Sequence, residues 1–395
     1  MANEKTVIVT GASQGIGAAV VQAFLGRGYN VVGTSRSVSK AGFAPSPNLA
    51  LVDGDIGQGA TAEKVAQAAI GKFGSIDHVV NNAGIFSAKP FTDYTGDECH
   101  NFVSTTSGGE AFARSLALLA GHIEALGGTL PAYKPYVPIK FEDQVRVLLD
   151  AKVPAFSFVY GIPPTEMLDE CRAQGILTIG AATTPDEAIV LEQAGVDVIA
   201  ASGFEAGGHR GSFLLPSEES LTGTFSLVPQ VADAVSVPVV AAGGIADARG
   251  IVAAFALGAE GVQIGTAFLA CEESGASVHH RNALLGGQAK QTALTRGFTG
   301  RLARGIKNRL LDELNHKGIE ILPYPLQRAL VRHLSIPAEK AGRTDLLPLW
   351  AGQSANLSRW RDAHGLLDSL VREVSEIGGA VQNWSAHRQP TGTTK

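Results

Sequence analysis

One histidine stands in a stretch built to close over something. Ala200-Ala-Ser-Gly-Phe-Glu-Ala-Gly-Gly-His-Arg-Gly211 follows an apolar run. Its glycines let a loop fold tightly over a ligand, and His209 projects from that loop instead of from an apolar face. An imidazole titrates at about pH 6.5 and so can take or give a proton under ordinary conditions. Two more glycine turns follow strand-like runs and precede helix-like ones, Gly243-Gly244 and Gly265-Thr266. Backbone amides and a hydroxyl in such places hold a phosphate group. A third phosphate-type loop lies near the amino terminus, where Val7-Ile-Val-Thr-Gly-Ala-Ser-Gln-Gly-Ile-Gly17 places Gly11, Gly15 and Gly17 between a strand and a helix. Other reactive residue types carry less. His279-His280 and the widely separated Cys99, Cys171 and Cys271 show no metal-ligand spacing. Asp247 reads as a first-turn helix acid, and Trp350 and Gln353 read either as a pocket cap or as core.

The elements that must position these residues fall into two series. Val7–Thr10, Asn30–Thr34, Leu49–Asp53 and His78–Asn82 are short β-branched runs separated by amphipathic stretches. A less regular, Pro-rich passage near Leu130–Pro138 intervenes. Five more strand-like runs then follow, Val153–Phe158, Ile176–Ala181, Val196–Ser202, Val237–Gly243 and Gly261–Phe268. Helices of ordinary length between the strands imply parallel βαβ units with right-handed crossovers, with function at the strand carboxy-terminal ends. Beyond Phe268 the chain reads as mostly helical and polar, and residues 386–395 read as a frayed tail.

Composition agrees. In 395 residues, 45% apolar content, 17% charged content and 47 glycines suit a compact α/β protein with many tight turns. A net charge of -5 without a basic stripe gives no reason to expect nucleic acid or an anionic membrane as partner. No run is long and apolar enough for a membrane span, the first residues show no signal-peptide pattern, and the cysteines suggest a reducing compartment, so a cytoplasmic protein is expected.

The histidine loop, together with Ala241-Ala-Gly-Gly-Ile-Ala-Asp247, Gln263-Ile-Gly-Thr266, Phe298-Thr-Gly-Arg-Leu-Ala-Arg-Gly305 and Leu349-Trp-Ala-Gly-Gln353, resembles the nitronate monooxygenase family, formerly called 2-nitropropane dioxygenases, over about residues 110–375. The resemblance implies an FMN-binding β/α barrel that oxidises alkyl nitronates or nitroalkanes with molecular oxygen. It implies His209 as the base that removes the acidic carbon proton of a neutral nitroalkane. It places Gly207 against the isoalloxazine with Gly208 beside it, Ser202 where many relatives carry a glutamine, and Gln263, Gly265 and Thr266 with Gly243 and Gly244 at the phosphate. Residues 5–104 resemble instead the start of a short-chain dehydrogenase/reductase, through Thr10-Gly11 to Gly17 and Asn81-Asn-Ala-Gly84. That resemblance implies an NADP site at Gly11, Ser13, Gly15, Ile16, Gly17, Arg36, Asp55, Asn82 and Gly84. Its catalytic set is incomplete. Thr106 stands where an asparagine is expected, and Tyr136-Val-Pro-Ile-Lys140 has a proline that would break the required helix.

The chain therefore looks like a fusion. A Rossmann-like segment, 1–104, precedes a flavin-type barrel domain, 105–385, and a tail, 386–395. The barrel relatives have about three strands before the position of Val153, and this chain replaces them with foreign ones. Five parallel strands alone would leave two unpaired edges. The expected fold class is α/β: a TIM-barrel-like parallel domain, incomplete by itself, completed or abutted by a Rossmann-like four-strand segment. Closure into one hybrid barrel is the expectation, two abutting sheets the alternative. The competing functional readings are an NADP-binding dehydrogenase-like protein and a catalytically silent scaffold.

Overall fold

The structure is a computed structural model that describes residues 5–56, 59–80, 107–133, 141–316 and 319–386, with the backbone alone at Ile16, Gly59, 107–108 and 379–386. Asn82, Gly84, Cys99, Thr106, Tyr136, Lys140 and the predicted tail beyond Ala386 lie outside the described residues.

The first sheet is made by β1 (Thr6–Thr10), β2 (Asn30–Ser35), β3 (Leu49–Asp53) and β4 (His78–Val80), all parallel, in the order β3-β2-β1-β4. Val7 and Val9 of β1 pack with Val20, Val21 and Phe24 of α1 (Gly15–Gly26). Ile8, between them, packs on the opposite face with Val65 and Ala69 of α2 (Gly59–Phe73). With helices on both faces, every side chain of β1 is buried, which is why Thr-Val-Ile-Val-Thr reads as continuous β-branched sequence without polar alternation.

After α3 (Ser107–Ala125) and α4 (Phe141–Asp150) the second parallel sheet begins. Its strands are β5 (Ala155–Phe158), β6 (Leu177–Ala182), β7 (Val198–Ser202), β9 (Val239–Ala242) and β10 (Gly261–Gln263), in the order β10-β9-β7-β6-β5. Between them run α5 (Thr165–Ala173), α6 (Pro185–Gln193), α7 (Thr224–Ala234) and α8 (Ala248–Ala256). Local chemistry starts these helices. Thr184 caps α6 by accepting from Glu187 N, with Pro185 at the first helical position. Asp247 caps α8 by accepting from Arg249 N, so this acid stands at the N-cap and not inside the first turn.

The chain beyond Phe268 is not simply helical. The two-residue strand β8 (Gly208–His209) pairs antiparallel with β12 (Ala303–Ile306), which pairs antiparallel with β11 (Thr292–Thr295). The expected strand over Gly261–Phe268 also stops at Gln263, because α9 (Thr266–Leu269) starts there. Then come α10 (Val278–Leu285), α11 (Arg309–Leu314), α12 (Leu326–Lys340) and α13 (Ala363–Ala386). Residues from α3, α11 and α12, including Leu119, Ile123, Leu310 and Leu334, form a core separate from that of the second sheet.

The two parallel sheets are separate; among the described residues no strand of one pairs with the other, so the expected hybrid barrel does not close. The reason is topological. A barrel needs strands in sequential order with every helix outside, as in the second sheet. The first sheet is doubly wound: β1 already has β2 on one side and β4 on the other, and helices cover both faces. The halves are joined by α13, which lies against both α1 and α8. Leu366 and Leu370 enter the core of the second sheet while Leu367 packs on that of the first, and Arg27 of α1 pairs with Asp368 at 2.5 Å.

Candidate functional site

His209 is brought into place by long-range strand pairing. Gly208, at φ 79°, turns the chain in the left-handed region, and His209 then lies opposite Ala303 of β12. Its Nε2 is 2.8 Å from Thr299 Oγ1, which leaves Nδ1 as the nitrogen able to exchange a proton. Its ring lies 5.6 Å from that of Trp350 and 6.0 Å from that of Tyr324. Burial, and then the positive charges of Arg301 and Arg328, bring its pKa down to about 4. The imidazole is therefore neutral at ordinary pH. It lines a cavity of about 450 Å³ whose other walls include Phe141, Leu148, Phe158, Tyr160 and Arg301.

Two tyrosines hold the guanidinium of Arg301, whose Cζ lies 4.2 Å from the ring centre of Tyr160 and 4.8 Å from that of Tyr324. Burial raises the pKa of the Tyr160 hydroxyl, and the nearby Arg301 charge opposes that rise. Tyr160 follows β5 at φ 71°, in the left-handed region that a bulky side chain rarely adopts.

The glycine turns of the second sheet converge beside the histidine loop. A Cβ on Gly207 would come within 2.6 Å of Ala351 C and Gly352 N, so only glycine lets the two backbones meet. From there Gly352 N donates to Thr266 Oγ1 (3.0 Å), Gln353 N to Glu205 O (2.9 Å) and Ser354 Oγ to Gly244 O (2.6 Å). One short strap thus ties together the turns that carry Gly207, Gly244 and Thr266. Ser202 at the end of β7 offers its carbonyl to the buried Arg210 guanidinium. Gly243 and Gly244 sit at φ 98° and 70°. The amides of Gly243, Gly244, Gly265 and Thr266 donate to no protein acceptor among the described residues. Gly208 and Gly265 have nothing within 4 Å of a would-be Cβ, and Gln263 is exposed. The cavity wall itself includes His209 but none of Gly243, Gly244, Gln263, Gly265 or Thr266.

At the amino terminus Gly11 and Gly15 hold left-handed backbone at φ 63° and 56°. Ser13 and Gly17 lie in and just after this turn, Arg36 is exposed beyond β2, and Asp55 follows β3. The start of α1 lies against the carboxy-terminal half: a Cβ on Gly15 would be 4.0 Å from Glu273 O. The histidine cavity contains none of these residues. Cys171 and Cys271 are buried and free, and among the described residues no group of three or more His, Cys, Asp or Glu side chains could hold a metal. No helix among the described residues is long and apolar enough to cross a membrane.

Sequence reading found the histidine and the glycines but not Thr299, Tyr160 or Tyr324. Thr299 and Arg301 do lie in the quoted stretch Phe298–Gly305, whose pattern marked the segment without assigning these side chains a task. Tyr160 carries no local signal, since its partner Arg301 is remote in the chain.

Residues 99–373 match the family model for nitronate monooxygenase, and residues 5–117 match that for short chain dehydrogenase. A probable nitronate monooxygenase of Staphylococcus aureus is 38% identical over 308 residues, covering 75% of this chain and 86% of the relative. Among solved structures, a nitroalkane oxidase from Streptomyces ansochromogenes is 32% identical, with a TM-score of 0.65 over 95% of this chain and 97% of that one. FabK from Thermotoga maritima, 24% identical with a TM-score of 0.55 over 96% of each chain, shares the fold.

Proposed function

The chain belongs to the nitronate monooxygenase family, and from that premise we propose that it oxidises alkyl nitronates and nitroalkanes with molecular oxygen, using FMN. The observation that carries the reading is a neutral His209, fixed through Nε2 by Thr299, on the wall of a largely apolar cavity that it shares with Arg301.

The acidic protons of a nitroalkane are those on the carbon that bears the nitro group, and the reaction removes one of them. His209 Nδ1 accepts that proton, and the electron pair of the broken C–H bond moves into the C=N bond of a nitronate whose charge rests on the nitro oxygens. Thr299 keeps the imidazole in the tautomer and orientation that expose Nδ1. The apolar walls exclude water, so the charges created stay close and strongly coupled. A substrate that arrives as the nitronate bypasses this step and needs only to be bound.

The residues present fit FMN. Four turn amides that meet no acceptor among the described residues, those of Gly243, Gly244, Gly265 and Thr266, offer donors to a phosphate, and Gly208 and Gly265 leave room beside them. Ser202, Gly207, Gly208 and Gln263 would meet the rest of the cofactor. When bound, the flavin supplies a two-electron acceptor that oxygen can reoxidise.

An absorbance spectrum and a turnover assay test the proposal. The purified protein should be yellow or become so with FMN, consume oxygen with nitroethane, and lose that activity by about 100-fold or more in His209→Ala. A protein that stays colourless after incubation with FMN defeats it.

A further inference from the structure

We propose, resting on the function just argued, that Arg301 is a substrate-binding residue that grips the planar anionic head of the substrate, the two nitronate oxygens, while the apolar cavity walls receive the alkyl group. Four observations lead there.

First, among the described residues Arg301 is the one formally charged side chain on the cavity wall, and no described carboxylate lines it. Several other guanidinium groups meet carboxylates or carbonyls: Arg296 pairs with Glu218, Arg343 with Asp345, and Arg210 with the carbonyls of Ser202 and Ser220. A partly buried cation ordinarily finds an anion. Among the described residues this cavity supplies none, which leaves the place to a bound anion.

Second, the guanidinium is held. Tyr160 and Tyr324 both place their rings against its Cζ. Stacking of this kind fixes the plane of the group and leaves N–H donors at its edge, the arrangement that matches a planar XO₂ anion with two oxygens.

Third, Tyr160 reaches its place through left-handed backbone at φ 71°. A bulky residue persists in that conformation only where the surroundings demand it, and such residues cluster at ligand sites.

Fourth, charge balance requires it. Proton transfer from a neutral nitroalkane to neutral His209 creates an imidazolium and a nitronate, and the cavity already holds the Arg301 cation. Placing the nitronate oxygens on Arg301 puts the new negative charge between the two positive ones. The same grip serves a substrate that arrives as the nitronate. The cavity's apolar walls, among them Phe141, Leu148, Phe158, Ile162 and Pro163, suit a short alkyl chain. The substrate class is thus a compact anion with an apolar tail.

Propionate is the probe, because its carboxylate is planar and anionic like the nitronate head and it undergoes no chemistry with a flavin. Calorimetric titration of the purified full chain should show binding that Arg301→Met weakens by about tenfold or more. Arg301→Lys, which keeps the charge but not the fork, should fall between the two. In the same variants KM for ethylnitronate should rise more than kcat falls. Equal propionate affinity in wild type and Arg301→Met, or no propionate binding by the wild type, overturns the inference. Should Arg301→Met fail to fold, Arg301→Lys carries the test, and an affinity equal to wild type overturns it. A protein that takes no flavin and turns over no nitronate sinks the proposed function but leaves the propionate titration readable; undiminished propionate binding sinks Arg301 and leaves the flavin chemistry untouched.

Discussion

At the scale of the residue, the state of His209 is set by what surrounds it. Burial first, and then Arg301 and Arg328, lower its pKa from 6.5 to about 4. An unfolded chain takes up this proton near pH 6.5, whereas the folded protein takes it up only near pH 4. The contribution of the neutral ring to stability is therefore complete above 6.5 and is lost progressively as pH falls towards 4, by about 3 kcal/mol in all. Scanning calorimetry across that window should show the thermal midpoint of the wild type falling more steeply than that of His209→Asn, which lacks the titrating group. Parallel pH profiles would show that the ring is not held neutral. The same environment explains why a neighbouring anion matters. It would ease protonation of the ring at the moment when the reaction requires it.

The element that organises the site is the meeting of two backbones, the loop from Gly203 to Gly208 and the strap from Gly352 to Ser354. Gly207→Ala would drive a methyl group to within 2.6 Å of main-chain atoms of Ala351 and Gly352, which cannot swing aside as a side chain would. A loss of about 1–3 kcal/mol is expected, read from the denaturation midpoint. Gly265→Ala makes the contrast. Its backbone is ordinary at φ -100°, and a Cβ there meets nothing within 4 Å, so stability should change by less than about 0.5 kcal/mol. If a phosphate rests against that turn, the same methyl group should weaken FMN binding in a fluorescence titration. A Gly265→Ala protein with unchanged FMN affinity would remove this turn from the cofactor site. Glu187 shows how firmly the surrounding loops are tied: fully buried on α6, its carboxylate accepts from Thr183 N and Oγ1 and from Phe213 N and Leu214 N.

For the whole molecule, the consequence of joining two kinds of βα array is that a helix, not a strand ladder, carries the junction. Leu366 of α13 is 3% exposed and enters the core of the second sheet, one residue before Leu367 packs on the first. Leu366→Ala should cost about 2–4 kcal/mol. Because the same helix clasps both halves, amide exchange should quicken in β1 as well as in β9. Faster exchange confined to the second sheet would mean that the halves do not stabilise each other. The Arg27–Asp368 pair, at 23% and 35% side-chain exposure, adds at most about 1 kcal/mol, so the apolar contacts dominate the junction.

The amino-acid sequence by itself determined that the chain is α/β with two series of parallel strands. It located most of these strands to within about two residues, and it marked His209 and the glycine turns. These features depend on interactions between near neighbours: β-branched runs such as Val7-Ile-Val, the cap formed by Thr184, Pro185 and Glu187, and glycines that turn the backbone where other residues could not. Tertiary structure alone decided the rest. β8 is two residues long and exists because Ala303, remote in sequence, pairs with His209; no local periodicity announces such a strand. Arg301 meets Tyr160 and Tyr324 only once β5 and the turn before β12 are side by side. Closure of the barrel, too, hinged on which edge of β1 was already taken. Pairing edges and ring-to-guanidinium contacts join residues far apart in the chain, so the physical forces that select them act only after the elements have assembled.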